Sequence, residues 1–290
     1  MERDGQLITL PGDRRLGFAE YGDADGIPVM SFHGGLSSRL DAAPMDEACV
    51  RLGIRLVAPD RPGIGLSDFQ LGRTLLDWPI DVTALADALG FDRFGAVGWS
   101  AGGPYVAACG YAIPERITAG AMVASAVPFE VAGNRRGLNL ADRLLLAMSE
   151  RTPWAASRAL RLAIGRPSAS TLERSIARSL GPADREALRR AGPPEAAVAF
   201  MKESLRSGTL GVIRDYRVFG DPWGFRLEDV RIPIHIWQGG EDTVNPPGDP
   251  VLLAEHLADA QLSIVPGEGH VSLMRNHAEE ILGPFVAARD

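Results

Sequence analysis

Ser100 stands between two glycines, in Gly98-Trp99-Ser100-Ala101-Gly102-Gly103. The run before it, Phe94-Gly95-Ala96-Val97, is short and apolar, as a buried parallel strand must be. The run after it, through Tyr105-Val106-Ala107-Ala108-Cys109, is rich in alanine and fits a helix. A strand that enters a helix through so tight a turn strains the middle residue, and small residues two positions to either side keep the chain from colliding with itself. The expected result is a serine hydroxyl held out at the carboxyl end of a sheet. Beside it the amide of Ala101 opens the helix and directs its N–H at whatever binds there. Such a serine is a candidate nucleophile. The plainer reading, a glycine-rich turn with an idle serine, stands or falls with the partners that the rest of the chain supplies.

A serine hydroxyl is a poor nucleophile until a base takes its proton, and the base needs a third group to fix its tautomer. In a parallel sheet those groups follow the carboxyl ends of later strands. Asp242 follows the apolar run Ile232 to Gln238, and His270 closes Pro266-Gly267-Glu268-Gly269-His270 after the run Ala260 to Val265. The chain order is therefore Ser, Asp, His, as expected where the serine sits on a strand–turn–helix. Of the other histidines, His235 falls in a strand, His256 near a helix end and His277 at the start of the last helix, positions that read as structural or solvated.

These residues need a scaffold, and the periodicities supply one. Gln6 to Leu10 and Arg14 to Tyr21 read as a hairpin turning on Pro11-Gly12-Asp13. Ile27 to Phe32 and Ile54 to Ala58 read as buried strands, Pro44 to Leu52 and Thr74 to Leu89 as helices, with Pro79 kinking the second or marking its start. The stretch from Ile117 to Val127 is the next strand. Strands alternating with helices predict an α/β fold with a parallel, doubly wound sheet. From about Asn134 to Gly208 no strand is legible. Stripes such as Leu138, Ala141, Leu144, Leu145, Met148 and Ala197, Phe200, Met201, Leu205 predict four or five short helices. The sheet pattern then resumes at Ile232, with helices at about Pro250 to Leu257 and His277 to Ala288.

Composition narrows the function classes. With 30 basic and 37 acidic side chains the formal charge is −7, which leaves no basic excess for a nucleic acid. Cys49 and Cys109 both fall in helices outside any Cys-x-x-Cys pair, so two free thiols in a reducing compartment are expected. The N-terminus has no apolar signal region and no run is apolar enough to span a membrane, so the expected location is cytoplasmic. No His-Glu-x-x-His or similar metal cluster occurs, and Gly63-x-Gly65 lacks the third glycine of a dinucleotide fingerprint, so no metal and no cofactor is implied.

Taken together, the sequence resembles an α/β-hydrolase-fold enzyme with a helical cap. The resemblance is carried by His33-Gly34-Gly35, Asp60-Arg61-Pro62-Gly63-Ile64-Gly65-Leu66-Ser67, Gly98-Trp99-Ser100-Ala101-Gly102, Gly239-Gly240-Glu241-Asp242-Thr243-Val244-Asn245-Pro246 and Gly267-Glu268-Gly269-His270, in the family's order along nearly the whole chain. It implies an eight-stranded, mostly parallel sheet whose second strand is antiparallel. It also implies a hydrolase core at 1–128 and 229–290 with a helical lid at 129–228 inserted over the active site. By the family's pattern Ser100, Asp242 and His270 form a catalytic triad. Glu241 stands one residue short of the acid's position, and His33 organises its loop rather than acting as a base. The oxyanion hole falls to the amides of Ala101 and Gly35, with Leu36 as a third candidate if the loop is shifted by one. Asp60 and Arg61 are expected to brace the loop walls.

The implied function is a serine hydrolase cleaving an ester-like bond (carboxylester, lactone or thioester) of a small, largely apolar molecule. Related chemistries of the fold, C–C bond hydrolysis, prolyl aminopeptidase and perhydrolase activity, share the triad. Leu36 weakens the peptidase reading, because that group prefers proline there. A low-turnover ligand-binding receptor is the alternative of another class. The dehalogenase and epoxide-hydrolase mechanisms of the fold need an aspartate where this chain has Ser100. Trp99, Trp223, Phe225 and Leu36 are the expected pocket residues, lining an apolar site that favours neutral acyl groups.

Overall fold

Apolar runs buried on both faces pair as inner strands of a sheet covered on both sides. The computed structural model, which describes residues 3–132, 140–245 and 248–288, is built in this way. Its strands are β1 (Arg3–Thr9), β2 (Arg15–Gly22), β3 (Ile27–Phe32), β4 (Ile54–Pro59), β5 (Phe94–Trp99), β6 (Ile117–Val123), β7 (Ile234–Gly239) and β8 (Ala260–Val265). They form one eight-stranded sheet in the order β1-β2-β4-β3-β5-β6-β7-β8. β1 and β2 form the expected antiparallel hairpin, β2 runs antiparallel to β4, and every pairing from β4 to β8 is parallel.

Successive strand residues point to opposite faces, and the two layers of core follow from that alternation. Met30, Val57, Ala96 and Met122 lie on one face under α2 (Trp78–Leu89) and α3 (Gly103–Ala112). Val29, Leu56, Val97 and Ala121 lie on the other, with side chains from α1 (Asp46–Leu52). Pro79 sits in the first turn of α2, where its missing N–H costs nothing, so the proline marks the start of the helix and Leu75–Asp77 precede it as a 3-10 turn. Cys49 and Cys109 are free and buried in α1 and α3.

Between β6 and β7 the described residues hold helices alone: α4 (Phe129–Ala132), α5 (Leu140–Arg151), α6 (Pro153–Leu160), α7 (Ala169–Ala177), α8 (Pro182–Arg190), α9 (Pro194–Ala197), α10 (Ala199–Ser204) and α11 (Leu210–Gly220). Six of them, α5 to α10, fall in the described part of the span from Asn134 to Gly208 where four or five were expected, because Pro153, Pro182 and Pro194 each restart the chain in a new first turn. Leu138, and the expected start at Asn134, lie outside the described residues. The insertion buries two small apolar clusters of its own, one around Leu146, Ala156 and Val212, the other around Leu172, Leu188 and Val198. Helices α12 (Asp249–His256), α13 (Ser272–Asn276) and α14 (Ala278–Ala287) complete the chain, and α14 packs Phe285 and Ile281 onto the α1 face. No helix among the described residues is long and apolar enough to cross a membrane.

Candidate active site

β5 delivers Ser100 to the carboxyl edge of the sheet and α3 leaves from it, with Ser100–Gly102 forming a 3-10 turn between them. Ser100 has φ +53°, a left-handed conformation that a side chain adopts only at a cost. The fold enforces it by crowding. A Cβ on Gly98 would strike the Gly102 carbonyl, and one on Gly102 would strike the Phe32 carbonyl oxygen at the end of β3. Leu36 (φ +49°) and Ala124 (φ +47°), just beyond the ends of β3 and β6, are held in the same region. Of the four non-glycine residues of this kind among the described residues, three therefore gather at one edge of the sheet.

The loop after β3 lies against this turn. A Cβ on Gly34 would sit 3.6 Å from Cβ of Ser100, and one on Gly35 would sit 3.6 Å from Cβ of Ala101. Gly35 and Ala101 are thus brought together, and the Ala101 amide belongs to a first turn whose N–H groups have no acceptor within the helix. The loop is braced from behind. His33 donates from Nδ1 to the Gly34 carbonyl (2.9 Å) and accepts at Nε2 from the amide of Arg61 (3.1 Å). Burial and the neighbouring Arg61 guanidinium hold this imidazole neutral, well below its ordinary value. Arg61 also donates to the carbonyls of His33 and Gly34 and to Asp215 of α11 (2.9 Å). Asp60 takes the Arg39 amide and guanidinium at 2.8 Å each. Burial would raise the Asp215 carboxyl, but Arg61 and Arg73 pull it down to about 2.

His270 is fixed by three elements at once. Its Nδ1 donates to Asp242 Oδ2 (2.8 Å), its carbonyl accepts from Trp99 Nε1 (3.0 Å), and its amide donates to Asp184 Oδ2 of α8 (3.0 Å). Asp242, after β7, is buried, and its Oδ1 takes the amides of Val244 (2.7 Å) and Asn245 (2.9 Å). Glu241 is exposed. Burial opposes charge on both partners, yet the pair wins. Asp242 lies below the ordinary carboxyl range, held by His270 and the two amides, and His270 lies above 6.5, raised chiefly by Asp242. With Nδ1 engaged, Nε2 is the ring nitrogen left to receive a proton.

A cavity of about 280 Å³ is bounded by Trp99 and Val271, the chain neighbours of Ser100 and His270, while Ser100, Asp242 and His270 themselves do not line it. Leu40, Leu180, Leu188 and Phe200 give it an apolar lining. Trp99, one of the expected pocket residues, lines this cavity and meets Phe200 edge to face with ring centroids 6.2 Å apart. Leu36 does not border the cavity, and instead wedges between the two apolar clusters of the insertion. Trp223 and Phe225 are not in it either, which corrects that expectation. Phe225 stacks on Tyr111 at 4.9 Å, and Trp223 is buried in the core under the same sheet face. Tyr111 lies eleven residues along the chain from Ser100, roughly 15 Å down α3, so the returning chain meets the wrong end of that helix. Phe200, Asp184 and Asp215 were not singled out from sequence. Phe200 carried only a helical stripe, and an acidic residue in the first turn of a helix, like Asp184, is ordinary.

Comparison with known proteins gives the same picture. The family model described as alpha/beta hydrolase fold matches residues 27–276. No curated protein matches the sequence. Among solved structures, an esterase from Exiguobacterium antarcticum superposes with a TM-score of 0.74 at 16% identity, over 99% of this chain and 100% of that one. The enol-lactonase from Burkholderia xenovorans LB400 gives 0.71 at 17% identity, over 97% and 100%. An epoxide hydrolase from Vigna radiata gives 0.72 at 20% identity, over 98% and 97%.

Proposed function

The chain is an enzyme of the alpha/beta hydrolase fold family, and we propose that it is a serine hydrolase cleaving an ester-like bond of a small, largely apolar substrate. The observation that carries the reading is the 2.8 Å hydrogen bond from His270 Nδ1 to buried Asp242, on a loop tied through the His270 carbonyl to Trp99, the residue before a serine held at φ +53° on a strand-to-helix turn. In this mechanism Nε2 of His270 takes the proton from Ser100 Oγ as the oxygen attacks the substrate carbonyl. The amides of Gly35 and Ala101 receive the charge that develops on the carbonyl oxygen. His270 then returns the proton to the leaving oxygen. Water, deprotonated by the same imidazole, frees the acid from Ser100.

Residues 1–128 and 229–290 serve as the catalytic core and 129–228 as the cap. The cap's Leu180, Leu188 and Phe200 give the cavity an apolar wall suited to a short or medium acyl group. The epoxide-hydrolase likeness rests on the fold, and the carboxylate nucleophile of that chemistry has no counterpart at Ser100.

A fluorophosphonate mimics the tetrahedral acyl-transfer state, so it should attach to Ser100 and to no other serine, while a p-nitrophenyl ester series measures turnover. Labelling and turnover that both vanish in Ser100→Ala support the reading. Folded wild-type protein that takes no label overturns it, and label without turnover favours a binding role.

A further inference from the structure

The three amides that lead from His270 into α13 end on one side chain of the insertion. Asp184 is fully buried on α8. Its Oδ2 accepts from the His270 amide (3.0 Å), and its Oδ1 accepts from the amides of Val271 (2.8 Å) and Ser272 (2.9 Å). The Ser272 amide opens α13 and the Val271 amide caps it, so neither has an acceptor within the helix, and the His270 amide lies in the loop just before. The fourth, from Gly269, goes to Ser272 Oγ (2.8 Å). The approach is so close that a Cβ on Gly269 would lie 2.5 Å from the Asp184 carboxylate, so only glycine fits there. Among the described residues no arginine or lysine lies within ion-pair distance of Asp184, in contrast to Asp215 with Arg61 and Arg73. The carboxylate is balanced by peptide dipoles, and those dipoles belong to the loop that carries the base.

Resting on the serine-hydrolase reading above, we propose that Asp184 is a positioning residue for His270, through which docking of the insertion sets the geometry of the base loop. Asp242 orients the imidazole through its side chain. Asp184 orients the same residue through its main chain, from a different part of the molecule. Withdrawal of α8 from the base loop and α13 breaks three charge-assisted hydrogen bonds at once. The loop therefore keeps its shape only while α8 is docked. The charge has a second consequence. The negative groups facing His270 are Asp242 on the loop after β7, Asp184 on α8 and Asp142 on α5, and each favours the imidazolium.

The test is Asp184→Asn, which keeps the shape and one acceptor but removes the charge. On a small p-nitrophenyl ester, kcat should fall about 100-fold, as for a misplacement on the order of 1 Å, with KM little changed. The acid limb of kcat should also move to lower pH, because a charge that favoured the imidazolium is gone. A merely structural role would not shift that limb. Wild-type hydrogen exchange supplies the arm that needs no variant. The amides of His270, Val271 and Ser272 should open together with those of α8, while β5 stays protected. An Asp184→Asn protein with wild-type kcat and an unmoved acid limb overturns the proposal, as does a base loop that exchanges independently of α8. If wild-type protein turns over no ester, the hydrolase reading fails on its own. The exchange pattern, and the titration of His270 followed by NMR in Ser100→Ala with and without Asp184→Asn, then still decide what Asp184 does.

Discussion

The proposed nucleophile turn and the proposed base loop of this protein are held by opposite means. Ser100 is fixed by its own neighbourhood, a six-residue strand in the centre of the sheet, glycines that fill the space against β3, and the helix that follows at once. His270 comes after β8, the edge strand, none of whose residues is fully buried, and what fixes it arrives from elsewhere. Asp242 comes from the loop after β7, the Trp99 indole from β5 and the Asp184 carboxylate from the insertion. A central strand can enforce a strained turn because its surroundings are close-packed and cannot yield. An edge loop has no such surroundings and depends on directed hydrogen bonds from distant parts of the chain.

Removing the nucleophile should have the largest effect. Ser100→Ala is expected to lower ester turnover by 10⁴-fold or more, roughly as for triad members elsewhere, and to abolish fluorophosphonate labelling. The base loop should be untouched, so the titration of His270 by NMR should match wild type. A change there would show that the two regions are not held independently.

The acid probes the other region. Asp242→Asn should keep the fold and lower kcat by about 10⁴-fold, because the amide leaves His270 in the wrong tautomer. Glu241→Gln, one residue away and exposed, should behave as wild type. The reverse outcome would mean that the base draws its partner from a different carboxylate.

Two glycine substitutions sharpen the contrast. A Cβ at Gly102 meets the Phe32 backbone, which cannot move without moving β3, whereas one at Gly269 meets the Asp184 side chain. Gly102→Ala should therefore cost about 3 kcal/mol, read as a fall in Tm of roughly 5–10 °C. Gly269→Ala should lower kcat more than it lowers Tm. Equal losses of Tm in the two variants would erase the distinction between a packed turn and a hydrogen-bonded loop.

The smallest expected effect is in pH. In the proposed mechanism the neutral imidazole is the active form, and His270 is raised from 6.5, so kcat should fall with acid through a midpoint above that value. Stability runs the other way. A raised histidine contributes fully below its unfolded value and loses that contribution as pH rises through the folded one. Over this window the Asp242–His270 pair should give up a little Tm as kcat climbs, measurable by thermal melts at the pH values of the rate profile. A midpoint at or below 6.5 would contradict the dominance of Asp242 over burial.

Much of this was legible in the chain itself. Short apolar runs alternating with helical stripes led to a parallel, doubly wound α/β sheet, because strands buried on both faces leave a pattern that is continuous in sequence, and the family resemblance supplied its eight strands. The turn at Ser100 was legible for the same reason. The glycines that permit it lie within a few residues of the serine they serve. The site's other members were legible only as positions after strands, and the structure brings Asp242 and His270 together at those positions. Trp223 and Phe225 were misplaced because an aromatic residue near the end of an insertion says nothing about which end of α3 it will meet. Asp184 had no signal at all. An aspartate in the first turn of a helix is common, and the three amides it satisfies lie more than eighty residues further on. Local backbone chemistry is written in adjacent residues, whereas a buried carboxylate acquires its role only when tertiary packing delivers donors that water would otherwise have satisfied.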